Sequence, residues 1–156
     1  MVPHWADDKK KFGLKTYNAR SETVAEKPSY RNAWRRKQFG LAIMRSFYEP
    51  SYVTGKAVRW RIKRSDHNPL AVASIWERFV DTSTGEILFS FSMLTINATS
   101  HSVMQQFHRP EDEKRSIVVL QDDAYLPWLH SNHDQARNLL QLAPADFLSS
   151  VAAPRV

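Results

Sequence analysis

The chain has 156 residues, with 22 Lys and Arg against 16 Asp and Glu (net +6), and its 42% hydrophobic content excludes a disordered chain. At roughly 150 residues per domain one domain is predicted, long enough to bury about 70% of its unfolded surface without a disulfide or metal staple. There is no Cys and no apolar run near the 18 or so residues of a membrane span, which excludes disulfide scaffolds, Cys-ligated zinc, a cysteine nucleophile within these residues and a transmembrane helix.

Residues 1–16 are polar and punctuated, and read as a loop entering a short extended piece, Thr16–Ser21. Pro28 suits a first helical position, and Tyr30, Ala33, Trp34 and Lys37 recur at helical spacing, predicting a helix over 28–38 that ends before Gly40. Leu41–Tyr48 reads as a strand stopped by Pro50. Val58–Lys63 alternates with period two, a half-buried strand with a basic outer face. After a turn at 66–69, Leu70–Val80 and Ile87–Asn97 read as an antiparallel hairpin turning at Thr84-Gly85. One helical turn is expected at 102–107, a short buried strand at 117–120, and helices at 123–130, 133–142 and 145–150. Strands first and helices afterwards, without βαβ alternation, give an α+β class built on a mostly antiparallel sheet.

The charge is unevenly spread. Residues 1–64 hold 16 Lys and Arg against five Asp and Glu, a net +11, and the remainder carries −5. Basic residues interleaved with Trp5, Phe12, Tyr17, Tyr30, Trp34 and Trp60 fit a nucleic-acid partner. A solvated basic face over core aromatics is the other reading. The opening MVPHWADDKKKFG turns charged too early for a secretory signal, so a soluble, cytoplasmic protein is expected.

Three segments could carry chemistry. In Asn18-Ala19-Arg20-Ser21-Glu22 an amide, a guanidinium and a carboxylate share one face if the segment is extended. Arg20 could then fork onto a phosphate and Asn18 hold a substrate oxygen, or the segment is an exposed strand with an Arg–Glu pair. Glu49, at the end of an apolar run beside aromatics, is placed for a raised pKa and proton transfer, unless it is an ordinary solvated Glu. His108, near Arg109 and Arg115, could act as acid or base, or be a structural His. His130 and His133 lack a third metal ligand nearby, so no metal is expected, and no glycine-rich phosphate loop or Ser elbow occurs.

In this order the segments PHWADDKKKFGLKTYNARSET, SYRNAW, FYEP with TGKAVRWRI behind it, WERF, SMLTINA and MQQFHRPEDEKRSIVVL resemble the SRAP family. These are the SOS response-associated peptidases, also called abasic-site processing proteins. The resemblance runs from Val2 to about Leu120 and more loosely through the helical tail. It implies a barrel-like sheet with peripheral helices. It also implies single-stranded DNA binding and capture of the ring-opened aldehyde of an abasic site in the DNA damage response. Members do this with an N-terminal Cys, exposed by removal of the initiator Met, whose amine and thiol close a thiazolidine.

The resemblance carries residue roles as well. It makes Asn18 the amide that orients the N-terminal group and opened sugar, Glu49 the proton shuttle, and His108 the assistant in Schiff-base chemistry and crosslink reversal. Arg20 becomes the phosphate-holding Arg, Glu22 the acid that follows it, Arg115 (rather than Arg109) the Arg before the next strand, and Trp5 the stacking Trp. The partner implied is single-stranded DNA with abasic sites, bound by a monomer, with no cofactor and no membrane. The Met-Cys-Gly-Arg start has no counterpart in these residues, and Gly40, Ile43 and Arg45 stand where members usually carry Cys, Pro and Asp. The expectation is one SRAP domain over 1–156 without its nucleophile-bearing first part. The alternative is a remnant that binds single-stranded DNA and cannot crosslink it.

Overall fold

The computed structural model describes residues 1–154. Its first element corrects the expected loop. The Asp8 carboxylate accepts from the Lys11 N–H at 2.9 Å and caps a helix, α1 (Lys9–Lys15). β1 (Asn18–Arg20) follows, and the expected helix over 28–38 is reduced to α2 (Arg31–Arg35), with turns on either side. The apolar run predicted as one strand is two, β2 (Phe39–Met44) and β3 (Phe47–Ser51), broken at Arg45-Ser46 and placed in different sheets. Pro50 does not stop β3 but lies within it, as an edge strand allows, because no ladder bond needs its missing N–H.

β4 (Val58–Arg64), β5 (Leu70–Val80) and β6 (Ile87–Asn97) lie where the alternation put them. β5 and β6 form the expected antiparallel hairpin, Val80 opposite Ile87, with Gly85 at a φ of +75° in its turn. A single 3₁₀ turn covers Met104–Gln106. The strand expected at 117–120 is a pair, β7 (Arg115–Ile117) on β6 and β8 (Val119–Leu120) on β5. Helices α3 (Tyr125–His130) and α4 (His133–Leu139) follow. The last predicted helix is overturned: Ala145–Phe147 is a 3₁₀ turn, and β9 (Leu148–Ala152) pairs antiparallel with β4.

The larger sheet runs β1-β6-β5-β2, with β7 and β8 attached, and the smaller runs β3-β4-β9. All pairings are antiparallel except β1 with β6. The class is therefore α+β, and the larger sheet is curled into a half-barrel, as expected. Both faces of that sheet are packed. Ala73, Ile75, Leu94 and Val118 meet Trp34 of α2 and Trp128 of α3 on one side. Leu70, Val72 and Ala42 meet Ile62 of β4, Phe107 and Leu148 on the other. Along the second face, beyond the smaller sheet, the row ends in exposed Phe89 and Phe91.

Trp128 is the anchor of the first core. It is fully buried, lies 4.6 Å from the Phe39 ring, and donates its indole N–H to the Gly40 carbonyl at 2.9 Å. Trp128→Ala should cost about 3–5 kcal/mol, the range for emptying a buried aromatic site. Chemical denaturation should show the midpoint falling at an unchanged slope.

Candidate functional site

Within β3, Glu49 stands opposite Trp60 of β4, on the inner side with Phe47 and Ser51. Burial pushes its carboxyl above the ordinary range, against the charge of His108, which pulls it down. The Glu49 Oε2 lies 3.6 Å from the His108 Nδ1.

His108 is fixed by its neighbours on both sides. Its backbone N–H donates to the Pro50 carbonyl at 2.9 Å, and the preceding Phe107 bridges to Ser51. Its ring Nε2 donates to the Arg115 carbonyl at 2.9 Å. A φ of +63° is a left-handed backbone that costs a non-glycine residue energy, held here by these bonds. Since a carbonyl only accepts, Nε2 carries a proton, and a neutral ring presents a bare Nδ1 to Glu49. At 3.6 Å the two groups stand just beyond direct hydrogen-bond reach but close enough for their charges to interact.

The Arg115 side chain extends the site. Its Nη2 donates to the Glu22 carboxylate at 2.8 Å and to the Thr95 carbonyl at 2.8 Å, and its Nη1 donates to Glu113 at 2.7 Å. The other Glu113 oxygen takes Arg20 at 2.8 Å. The Arg20–Glu22 pair expected on one face of an extended segment is thus not formed. β1 ends at Arg20, the chain turns, and each side chain finds its partner across the sheet. Glu22 is held below the usual carboxylate range because the Arg115 hydrogen bond and charge outweigh the opposing effect of burial.

Asn18 pairs in register with Met93 and Arg20 with Thr95, so both lie on the β6 face that carries Thr95. The Asn18 backbone carbonyl accepts from the Tyr30 hydroxyl at 2.9 Å, while its side-chain Oδ1 is buried without a hydrogen-bond partner. A buried acceptor left open costs stability unless a ligand supplies the donor.

Six of the seven residues given roles in the sequence therefore fall on one connected surface: Asn18, Arg20, Glu22, Glu49, His108 and Arg115. Trp5 does not touch it. It is 47% exposed, packs edge-on against Phe12 and donates to the Pro28 carbonyl at 3.3 Å. Arg109 is exposed on the loop before β7. Sequence reasoning missed Glu113 and Thr95. Glu113 looked like one more acid in a charged loop, while the period-two order of β6, which sets Thr95 and Asn97 on one face, was available as a signal. Among the described residues no group of His, Asp and Glu is arranged to hold a metal ion, and no helix is long and apolar enough to cross a membrane.

With this geometry in place, the comparisons with known proteins are specific. Residues 1–154 match the family model of the SOS response associated peptidase, SRAP. The chain belongs to the SRAP family. It is 32% identical over 154 residues to the abasic site processing protein YoqW of Bacillus subtilis (strain 168), covering 96% of this chain and 64% of that one. YobE of the same organism, also named an abasic site processing protein, is 32% identical with 66% of its length covered. The chain thus spans about two thirds of the length of these relatives. Among solved structures, a Bordetella bronchiseptica protein superposes with a TM-score of 0.90 at 35% identity, over 99% of this chain and 74% of that one. A Bacteroides thetaiotaomicron protein at 21% identity, TM-score 0.85, covering 97% and 66%, shares the fold.

The raised Glu49 pKa has a consequence for stability. A carboxyl that holds its proton longer when folded contributes fully below its unfolded pKa, and that contribution is lost as pH rises through the folded value. Glu49→Gln, which keeps the shape without the charge, should therefore melt at a higher temperature than wild type above neutral pH. The gap should close as pH falls toward 4, as thermal melts across that range would show.

Proposed function

We propose that this site binds single-stranded DNA and processes abasic sites, in keeping with the names of the relatives. The observation that carries the reading is the Glu49 carboxyl, pushed up by burial, 3.6 Å from the Nδ1 of His108. Opening an abasic sugar to its aldehyde, and forming or breaking an imine, each need a group that can both give and take a proton near neutral pH. A half-buried acid beside an imidazole suits that need.

The other residues take roles that suit their chemistry. The open Oδ1 of Asn18 accepts a hydrogen bond from a sugar hydroxyl or an attacking amine. Arg20 and Arg115 face the phosphates beside the lesion, and Trp5 offers an exposed ring to a flanking base. Glu113 bridges the two arginines in the free protein and is displaced when phosphate arrives. The thiazolidine step needs an N-terminal cysteine, which these 156 residues do not contain. These residues therefore supply strand binding and proton transfer, and the covalent bond requires a nucleophile beyond them.

A second reading is that these residues bind abasic strands without crosslinking them. The purified chain should bind a single strand carrying a natural abasic site more tightly than the intact strand and leave no SDS-resistant adduct. An SDS-resistant band would reject the non-crosslinking reading. Equal affinity for intact, abasic and RNA strands would reject both.

A further test concerns Glu113 alone. Glu113→Gln removes the competing anion, so strand affinity should rise by up to about fivefold, the size of an exposed ion pair. A fall in affinity would contradict the displacement role.

A further inference from the structure

The arginines of the Glu49–His108 site are neutralised within the protein, yet residues 1–64 carry a net +11. Much of the unpaired charge lies elsewhere, on the outer face of the smaller sheet. Alternation along β4 turns Trp60, Ile62 and Arg64 inward and Arg59, Arg61 and Lys63 outward. The inward Arg64 is buried and held by Asp66, at 3.0 and 2.6 Å, and by Asp122. Its outward neighbours differ. Among the described residues, neither Arg59, Arg61 and Lys63 nor the adjacent exposed Arg45 forms an ion pair.

These cations are organised. Arg45, Arg61, Lys63 and His67 line an open hollow of about 390 Å³ with Ser46 and Pro69. Lys63 Nζ donates to His67 Nδ1 at 2.8 Å, and His67 sits at a φ of +67°, so the turn after β4 brings its ring back over the strand. Along the same row, Arg59 stacks on the exposed Tyr48 ring, 3.5 Å from its centroid. Stacking holds the guanidinium in place and leaves its N–H donors free for an oxygen ligand. The outward side chains of one strand repeat about every 7 Å, twice the rise per residue. The row therefore suits an extended polyanion better than a single ion.

Its position favours nucleic acid over an anionic membrane. β3 is the outermost strand of its sheet, with Glu49 on the inner side and Tyr48 next to it on the outer side. A strand leaving Glu49 has one strand width to cross before it meets Tyr48 and Arg59. We propose that Arg45, Arg59, Arg61 and Lys63 form a second nucleic-acid contact, which grips the phosphodiester backbone of the single strand running out of the Glu49–His108 site. This rests on the reading above that nucleic acid is the ligand.

The test uses the whole chain and an intact labelled single strand, so its result does not depend on any preference for abasic sites. Arg61→Gln with Lys63→Gln should reduce the slope of log affinity against log salt by about 1.4 and weaken binding roughly tenfold or more near 0.1 M salt, for a strand of about 30 nucleotides. A control, Lys27→Gln with Lys37→Gln, removes two exposed charges elsewhere and should change the slope much less. Both doubles should keep the wild-type melting temperature, since none of these side chains is in an ion pair or core. Unchanged slope in the first double overturns the proposal. An equal loss in the control also overturns it, by reducing the effect to net charge, and so does an effect seen with duplex but not with single strand. Binding to anionic phospholipid vesicles that the first double abolishes, with strand binding intact, would assign the face to a membrane. A chain that shows the slope change without preferring abasic strands would sink the functional reading above and leave this contact standing.

Discussion

His108 joins the two sheets, and much of the site depends on that bond. Its backbone N–H is given to Pro50 in the smaller sheet and its ring N–H to Arg115 in the larger. The first bond holds the imidazole beside Glu49. The second decides which ring nitrogen faces the carboxyl. The left-handed backbone at His108 is kept because both bonds are made. The candidate proton carrier is thus also one of the links between the two sheets.

From that point the electrostatics divide into two regions. Around Arg115 the charges are balanced, with Glu22 and Glu113 set against Arg20 and Arg115. Such a network is ordered and specific but offers little attraction to a distant anion. The outer face of β4 is the reverse: cations without carboxylate partners, strong in drawing a polyanion and weak in selecting a sequence. A basic N-terminal half therefore does not mean a uniformly basic site.

The candidate site residues were easier to pick out in the sequence than the architecture was. Asn18, Arg20, Glu49, His108 and Arg115 were visible because each lies in a short local pattern, and the β5–β6 hairpin because its alternation is long and its turn has Gly85. The pairing of Arg20 with Glu113 was not visible, since it depends on β1 lying parallel to β6 and on a loop more than 90 residues away. The break at Arg45-Ser46 was hidden because one apolar run serves two sheets. β9 was misread because Leu148–Ala152 is short, and such a run takes its conformation from the strand it meets. The capped helix at Lys9–Lys15 had a signal in Asp8, outweighed by the polar run around it.

The proposed function rests on Glu49 and His108 passing a proton between them, and heteronuclear NMR through a pH titration tests this directly. The ring nitrogens of His108 should show Nε2 protonated throughout, with Nδ1 bare when the ring is neutral, and the Glu49 carboxyl carbon should titrate above the exposed glutamates of the same chain. A neutral His108 with its proton on Nδ1, or a Glu49 that titrates with the exposed glutamates or below them, would contradict the account.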